Sequence, residues 1–141
     1  MLWDEAYECG IPAIDAEHKE LFVQVGVLMD AGREGRVGET LDFLGGYVVK
    51  HFAHEQLMHR TSKYPNAAEH KAMHDRFVLV YSALRKEYGT GDNKSGVLEK
   101  LVRTVELWLR EHIAGMDREF AAFYRAGRDG DAAEGNRREE P

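Results

Sequence analysis

Apolar residues along this chain recur with the 3.6-residue period of amphipathic helices in four separate runs. The first opens at Asp15, whose carboxylate can accept from the exposed amides of a helix N-terminus, and sets His18, Phe22 and Val25 on one face before Asp30 and the Gly32 and Gly35 stretch. The second runs from about Glu39 to about Lys63, with Leu41, Leu44, Val48, His51, Glu55 and Met58 on one stripe, and ends ahead of Pro65. A third begins at Asn66, where Glu69 three residues on completes a capping-box pattern, and reaches Tyr88 with His70, His74, Phe77, Tyr81 and Leu84 facing inward. The loop YGTGDNKSG at 88–96 is a strong break. A fourth helix from about Gly96 aligns Leu98, Leu101, Val105, Trp108, Leu109 and His112. Residues 1–14 show no period and read as an arm, anchored by Trp3, Tyr7 and Ile11 and broken by Gly10 and Pro12. Four such helices with short connections and no alternating strand pattern predict an all-α, up-down-up-down four-helix bundle with an N-terminal arm. The bundle domain is expected over 1–126. Apolar residues almost vanish after Tyr124, and 127–141 is read as a polar, disordered tail.

What sets these stripes apart is that histidines share them on all four helices. His18, His51, His70, His74 and His112 all lie on apolar faces, and Glu55 lies one turn from His51. Five imidazoles and a carboxylate turned toward an apolar core are costly to bury without partners. A metal removes that cost, because neutral imidazole and carboxylate are good ligands for iron, zinc or copper. A single histidine on such a face is more often a hydrogen-bonded core residue, but two i,i+4 pairs with single histidines at matching depth on the other two helices point to a metal site.

The densest stretch, HFAHEQLMHR at 51–60, approaches the H-E-x-x-H signature of zinc proteases without meeting it. His54-Glu55 is followed by His59 at i+5, roughly 140° around a regular helix. The stripe instead selects His51 and Glu55, and His54 and His59 are expected on the solvent side.

Composition narrows the setting. The chain has 141 residues, enough for one domain with a real core, and its net charge of -6 argues against nucleic acid as a partner. Cys9 is the only cysteine, which allows no internal disulfide and suits a reducing compartment. The acidic start MLWDEAYECG is unlike a secretory signal, and no apolar run approaches a membrane span. A cytoplasmic protein is expected.

With these residues in view, the chain resembles the hemerythrin family, and within it the single-domain bacteriohemerythrins. The likeness covers about residues 2–124 and rests on Trp3, Gly10, IDAEH at 14–18, HFAHE at 51–55, LM at 57–58, YP at 64–65, HKAMH with Phe77 at 70–77, and WLREHIAGMD at 108–117. The resemblance implies a non-haem di-iron site. It assigns His70, His74 and His112 to one iron, His18 and His51 to the other, and Glu55 and Asp117 to bridging both together with an oxo or hydroxo group. Gln56 departs from the glutamate that many members carry after the bridging one. Five histidines then leave one coordination position open. Asp117 follows His112 by five residues, which is off the same regular face. Either Gly115 marks a bulged turn or the carboxylate reaches across the bundle end.

A site rich in histidine and poor in carboxylate favours reversible dioxygen binding over O–O cleavage. The ferritin-like alternative needs Glu-x-x-His, which occurs nowhere in this sequence. Phe22, Phe52, Phe77, Trp108, Leu109 and Ile113 are candidates for the walls of an apolar O2 pocket, although core packing accounts for most of them. Two other readings stay open. One is a di-iron enzyme reducing peroxide or nitric oxide, and the other is an O2 sensor acting through a separate protein partner.

Overall fold

The computed structural model describes residues 3–139, with the side chains of 32–34 and 129–139 excepted. After a short 3-10 turn at Glu5–Tyr7, the helices are α1 (Pro12–Glu34), α2 (Val37–Ser62), α3 (Ala67–Thr90), α4 (Lys94–His112) and α5 (Arg118–Glu139), with a π turn at Ile113–Asp117 joining the last two. Each of α1 to α4 packs on its sequence neighbour, and α1 closes against α4. This is the expected four-helix bundle, and no strand occurs among the described residues. Helix α5 continues the fourth rod. Its backbone is helical as far as Glu139, into the stretch whose composition suggested a disordered tail; the side chains beyond Arg128 lie outside the described residues.

The core follows the stripes. Leu21, Phe22, Val25, Leu28, Leu41, Leu44, Val48, Phe77, Leu84, Leu101, Val105 and Leu109 are buried together. Tyr81 joins them by donating its hydroxyl to the Leu41 carbonyl, which satisfies the one polar atom its ring brings inside. A smaller cluster of Cys9, Ile11, Ile14, Tyr64, Phe120 and Ala121 seals the opposite end of the bundle and fastens the arm there.

Two helix starts differ from expectation for local reasons. Helix α1 opens at Pro12, because proline has no amide to lose at a first helical position and its φ is already suitable. Asp15 therefore lies inside the helix. Its carboxylate caps the arm instead, accepting from the Cys9 and Gly10 amides at 2.8 and 3.2 Å. At α3 the capping box does not form, and the Asn66 amide donates across the bundle to Glu119 at 3.0 Å. Trp3 and Tyr7 anchor the arm as predicted, both against Phe22, with ring centroids 5.4 and 5.2 Å away. Gly10 is required where it stands. Its φ is +91°, and a Cβ there would meet the Arg125 guanidinium at 2.9 Å.

The π turn resolves the position of Asp117. A regular helix carries residue i+5 well away from residue i, whereas the wider ring of a π turn absorbs one extra residue and returns i+5 to the same face. Asp117 thus faces inward with His112, and both are buried. Gly115 plays no special part in this. It has no positive φ, and a Cβ added to it would enter open space. Gly115→Ala is accordingly expected to be neutral or to raise stability by up to about 1 kcal/mol, with metal content unchanged; a thermal melt and a metal assay check both points.

Candidate metal centre

Seven residues from all four rods converge in the buried interior. His18 comes from α1, His51 and Glu55 from α2, His70 and His74 from α3, His112 from the end of α4, and Asp117 from the π turn. They form two groups whose ligand atoms lie within 4.8 Å of one another: Glu55, His70, His74, His112 and Asp117 in one, and His18, His51, Glu55 and Asp117 in the other. Glu55 and Asp117 belong to both.

Each carboxylate turns one oxygen to each group. Glu55 Oε1 lies 2.6 Å from His70 Nε2 and 3.5 Å from His74 Nε2, while Oε2 lies 3.5 Å from His51 Nε2. Asp117 Oδ1 lies 2.9 Å from His70 Nε2 and 3.1 Å from His112 Nε2, while Oδ2 is 2.9 Å from His18 Nε2. Nitrogens crowd each other as well. His112 Nε2 stands 2.9 Å from His70 Nε2 and 3.1 Å from His74 Nε2. Lone pairs outnumber the protons able to fill them, which is what a donor set for cations looks like.

The electrostatics agree. Burial acts to raise both carboxyls, and the charge of Asp117 raises Glu55 further, but hydrogen bonds from His70 and His74 hold Glu55 below its ordinary value, and those from His112, His18 and His70 hold Asp117 well below the usual carboxylate range. Burial also works against a charged His70, yet its bonds to Asp117 and Glu55 outweigh it and push the ring up to about 9. A protonated His70 thus offsets only part of the negative charge that the carboxylates bring into the core.

Outer groups fix the rings. Glu17 Oε1 accepts from His51 Nδ1 at 2.9 Å, and Gln56 Oε1 accepts from His74 Nδ1 at 3.1 Å. Binding the proton at Nδ1 leaves Nε2 free to face the cluster. Gln56 thus fills the orienting position despite its departure from glutamate. Glu17 was not singled out from the sequence. It sits at the edge of the α1 stripe beside His18, and only its neighbour at that spacing hinted at it.

His54 is half-exposed, with 38 % of its side-chain surface accessible, and shares Glu17 with His51 at 2.9 Å. His59 departs from expectation. It is only 1 % exposed and packs between His70, Tyr64 and Phe120, with ring centroids 4.4, 5.3 and 4.3 Å away. Lying one helical turn below Glu55, it continues the stripe under the cap that Tyr64 and Phe120 make, so the helix end is not open to solvent there. Burial drives its pKa down to about 4.

The apolar candidates are arranged unevenly. Phe52 stacks on His74 with centroids 3.9 Å apart, and the partly buried Trp108 stacks on His112 at 4.2 Å, with Phe77 behind it. Phe22 lies toward the arm, while Leu109 and Ile113 are buried in the same core.

Buried imidazoles and two shared carboxylates inside a four-helix bundle define a cation-binding helical protein. Residues 9–124 match the model of the Hemerythrin HHE cation binding domain, and the chain belongs to the hemerythrin family, a family of oxygen-binding non-haem di-iron proteins. It is similar to the bacteriohemerythrin of Methylococcus capsulatus, at 34 % identity over 84 % of this chain and 92 % of that one. It is also similar to the myohemerythrin of Theromyzon tessulatum, at 30 % identity over 82 % of this chain and 86 % of that one. Among solved structures, a wild-type hemerythrin crystal structure matches with a TM-score of 0.77 and 31 % identity, covering 88 % of this chain and 97 % of that one.

Proposed function

We propose that this chain binds dioxygen reversibly at a centre of two iron ions, with His70, His74 and His112 holding one, His18 and His51 the other, and Glu55 and Asp117 shared between them. The observation that carries this reading is the division of each carboxylate, one oxygen toward each histidine group. Bound iron supplies an open coordination position and the electrons that dioxygen takes up on binding. The residues do the rest by holding and excluding. Three histidines would hold one iron and two the other, which leaves the His18 and His51 half one donor short and able to take the ligand. Glu17 and Gln56 keep the ring nitrogens aimed inward, and the aromatic packing keeps water from the donor set. No side chain is required to act as an acid or a base, which supports a binding protein over an enzyme.

The unit proposed to do this is the bundle with its arm, 1–126. No described helix is long and apolar enough to cross a membrane. The buried free thiol of Cys9 supports a reducing, cytoplasmic setting.

The test is an optical spectrum of the iron-loaded protein, reduced without oxygen, then exposed to air, then deoxygenated. An iron-dependent visible band that appears with dioxygen and vanishes on its removal is expected. Direct passage to a stable oxidised spectrum would favour the enzyme reading, and no iron-dependent band at all would remove the assignment.

A further inference from the structure

His59 is a buried titratable group beside the site that the metal assignment leaves unused. It belongs to neither ligand group. Both of its ring nitrogens lack a hydrogen-bond partner. Burying an imidazole in that state is unfavourable, and an apolar side chain would fill the same space at no such cost. Three aromatic neighbours fix the ring in place, and its Nε2 comes within 3.8 Å of Glu55 Oε1, the oxygen that also faces His70 and His74. That distance is longer than a hydrogen bond, but a few tenths of an ångström of side-chain adjustment on each side closes it.

We propose that His59 is a positioning residue for the shared carboxylate: it directs its Nε2–H at Glu55 Oε1, draws charge from that oxygen, and so favours the reduced, dioxygen-binding form of the centre. A donor to a ligand oxygen weakens the donation that stabilises the higher oxidation state, and hydrogen bonds to ligands are among the means by which a protein sets a metal's potential. The low-dielectric surroundings strengthen the effect. This inference rests on the di-iron reading above and assigns a role to a residue outside the ligand set.

The experiment compares wild-type with His59→Met, which fills the space without a donor, and His59→Gln, which restores an N–H. Iron content, the midpoint potential in an oxygen-free redox titration, and the thermal melt of the metal-free protein are measured for each. Both variants are expected to keep the full iron content. The Met variant is expected to shift the reduced-to-oxidised ratio at fixed potential about tenfold toward oxidised, the Gln variant to return most of the way, and the metal-free Met variant to melt higher than wild-type. An unchanged potential in the Met variant overturns the proposal and leaves His59 as packing. Loss of iron in both variants overturns it too, by making His59 a ligand. Failure of the wild-type to bind iron is seen before any variant is made and strikes the di-iron reading itself.

Discussion

Glu55→Ala is expected to abolish iron binding, whereas His51→Ala is expected to leave roughly half of it. The asymmetry follows from membership. Glu55 supplies an oxygen to each histidine group, while His51 belongs only to the smaller one. Removing groups that merely orient a ligand typically costs 10- to 100-fold in metal affinity, so removing a shared ligand should cost more than about 100-fold at both positions. Asp117→Ala should behave like Glu55→Ala for the same reason. His74→Ala should behave like His51→Ala but empty the other half, which an optical or magnetic signature of the remaining metal distinguishes. The measurement is iron per chain after desalting, with circular dichroism to show that each variant remains helical. Metal-free Glu55→Ala is expected to fold, because the change removes a buried negative charge that His70 only partly offsets. If Glu55→Ala instead retained as much iron as His51→Ala, the carboxylate would not be shared, and the two-metal reading would fall.

The buried donor cluster was legible because histidines converging from four apolar stripes make a pattern that packing alone does not. Histidines at His51, His70, His74 and His112 stand in positions where the stripes otherwise carry leucine, valine and phenylalanine, and only a shared partner makes that tolerable. The helices were legible for the ordinary reason that their apolar positions repeat at 3.6 residues. What the sequence left open were features decided by three-dimensional neighbours. Whether Asp117 reached the site turned on the backbone ring size between His112 and Asp117, and the presence of Gly115 was a coincidental cue, since that residue needs neither its small size nor special backbone freedom.

His59 was misplaced because its surroundings come from elsewhere in the chain. Arg60, Thr61 and Ser62 beside it are polar, which suggested a frayed, solvated helix end. The cover is supplied by Tyr64 after the turn and by Phe120 from α5, brought over by the same π turn that delivers Asp117. Asp15 and Asn66 failed as helix caps for a related reason. Each carboxylate or amide found a better partner across a tertiary contact, with the arm amides for one and Glu119 for the other. Short-range rules identify residues able to cap, and the packed fold decides what they cap.

Phe52→Ala is expected to be the most destabilising single truncation in the aromatic wall of the site, by about 3–5 kcal/mol. Phe52 follows His51 on α2 and reaches across to two other helices. It stacks nearly parallel on His74 and meets Phe77 and Trp108 edge-on, at 5.9 and 5.5 Å between centroids. Truncation removes contacts to α3 and α4 together, and rings held by each other cannot easily collapse into the space. For a domain of this size that loss corresponds to a fall in Tm on the order of 10–20 °C. His74 loses the face it rests on, so metal affinity should weaken as well, by roughly the 10-fold expected when a ligand's support is removed. Phe52→Leu retains most of the volume and should cost about 1–2 kcal/mol, with near-normal iron content. Melts of metal-free and iron-loaded protein separate the packing term from the metal term. A fall of less than about 1 kcal/mol in metal-free Phe52→Ala would show that the ring does not hold α2, α3 and α4 together, and would leave His74 oriented by Gln56 alone.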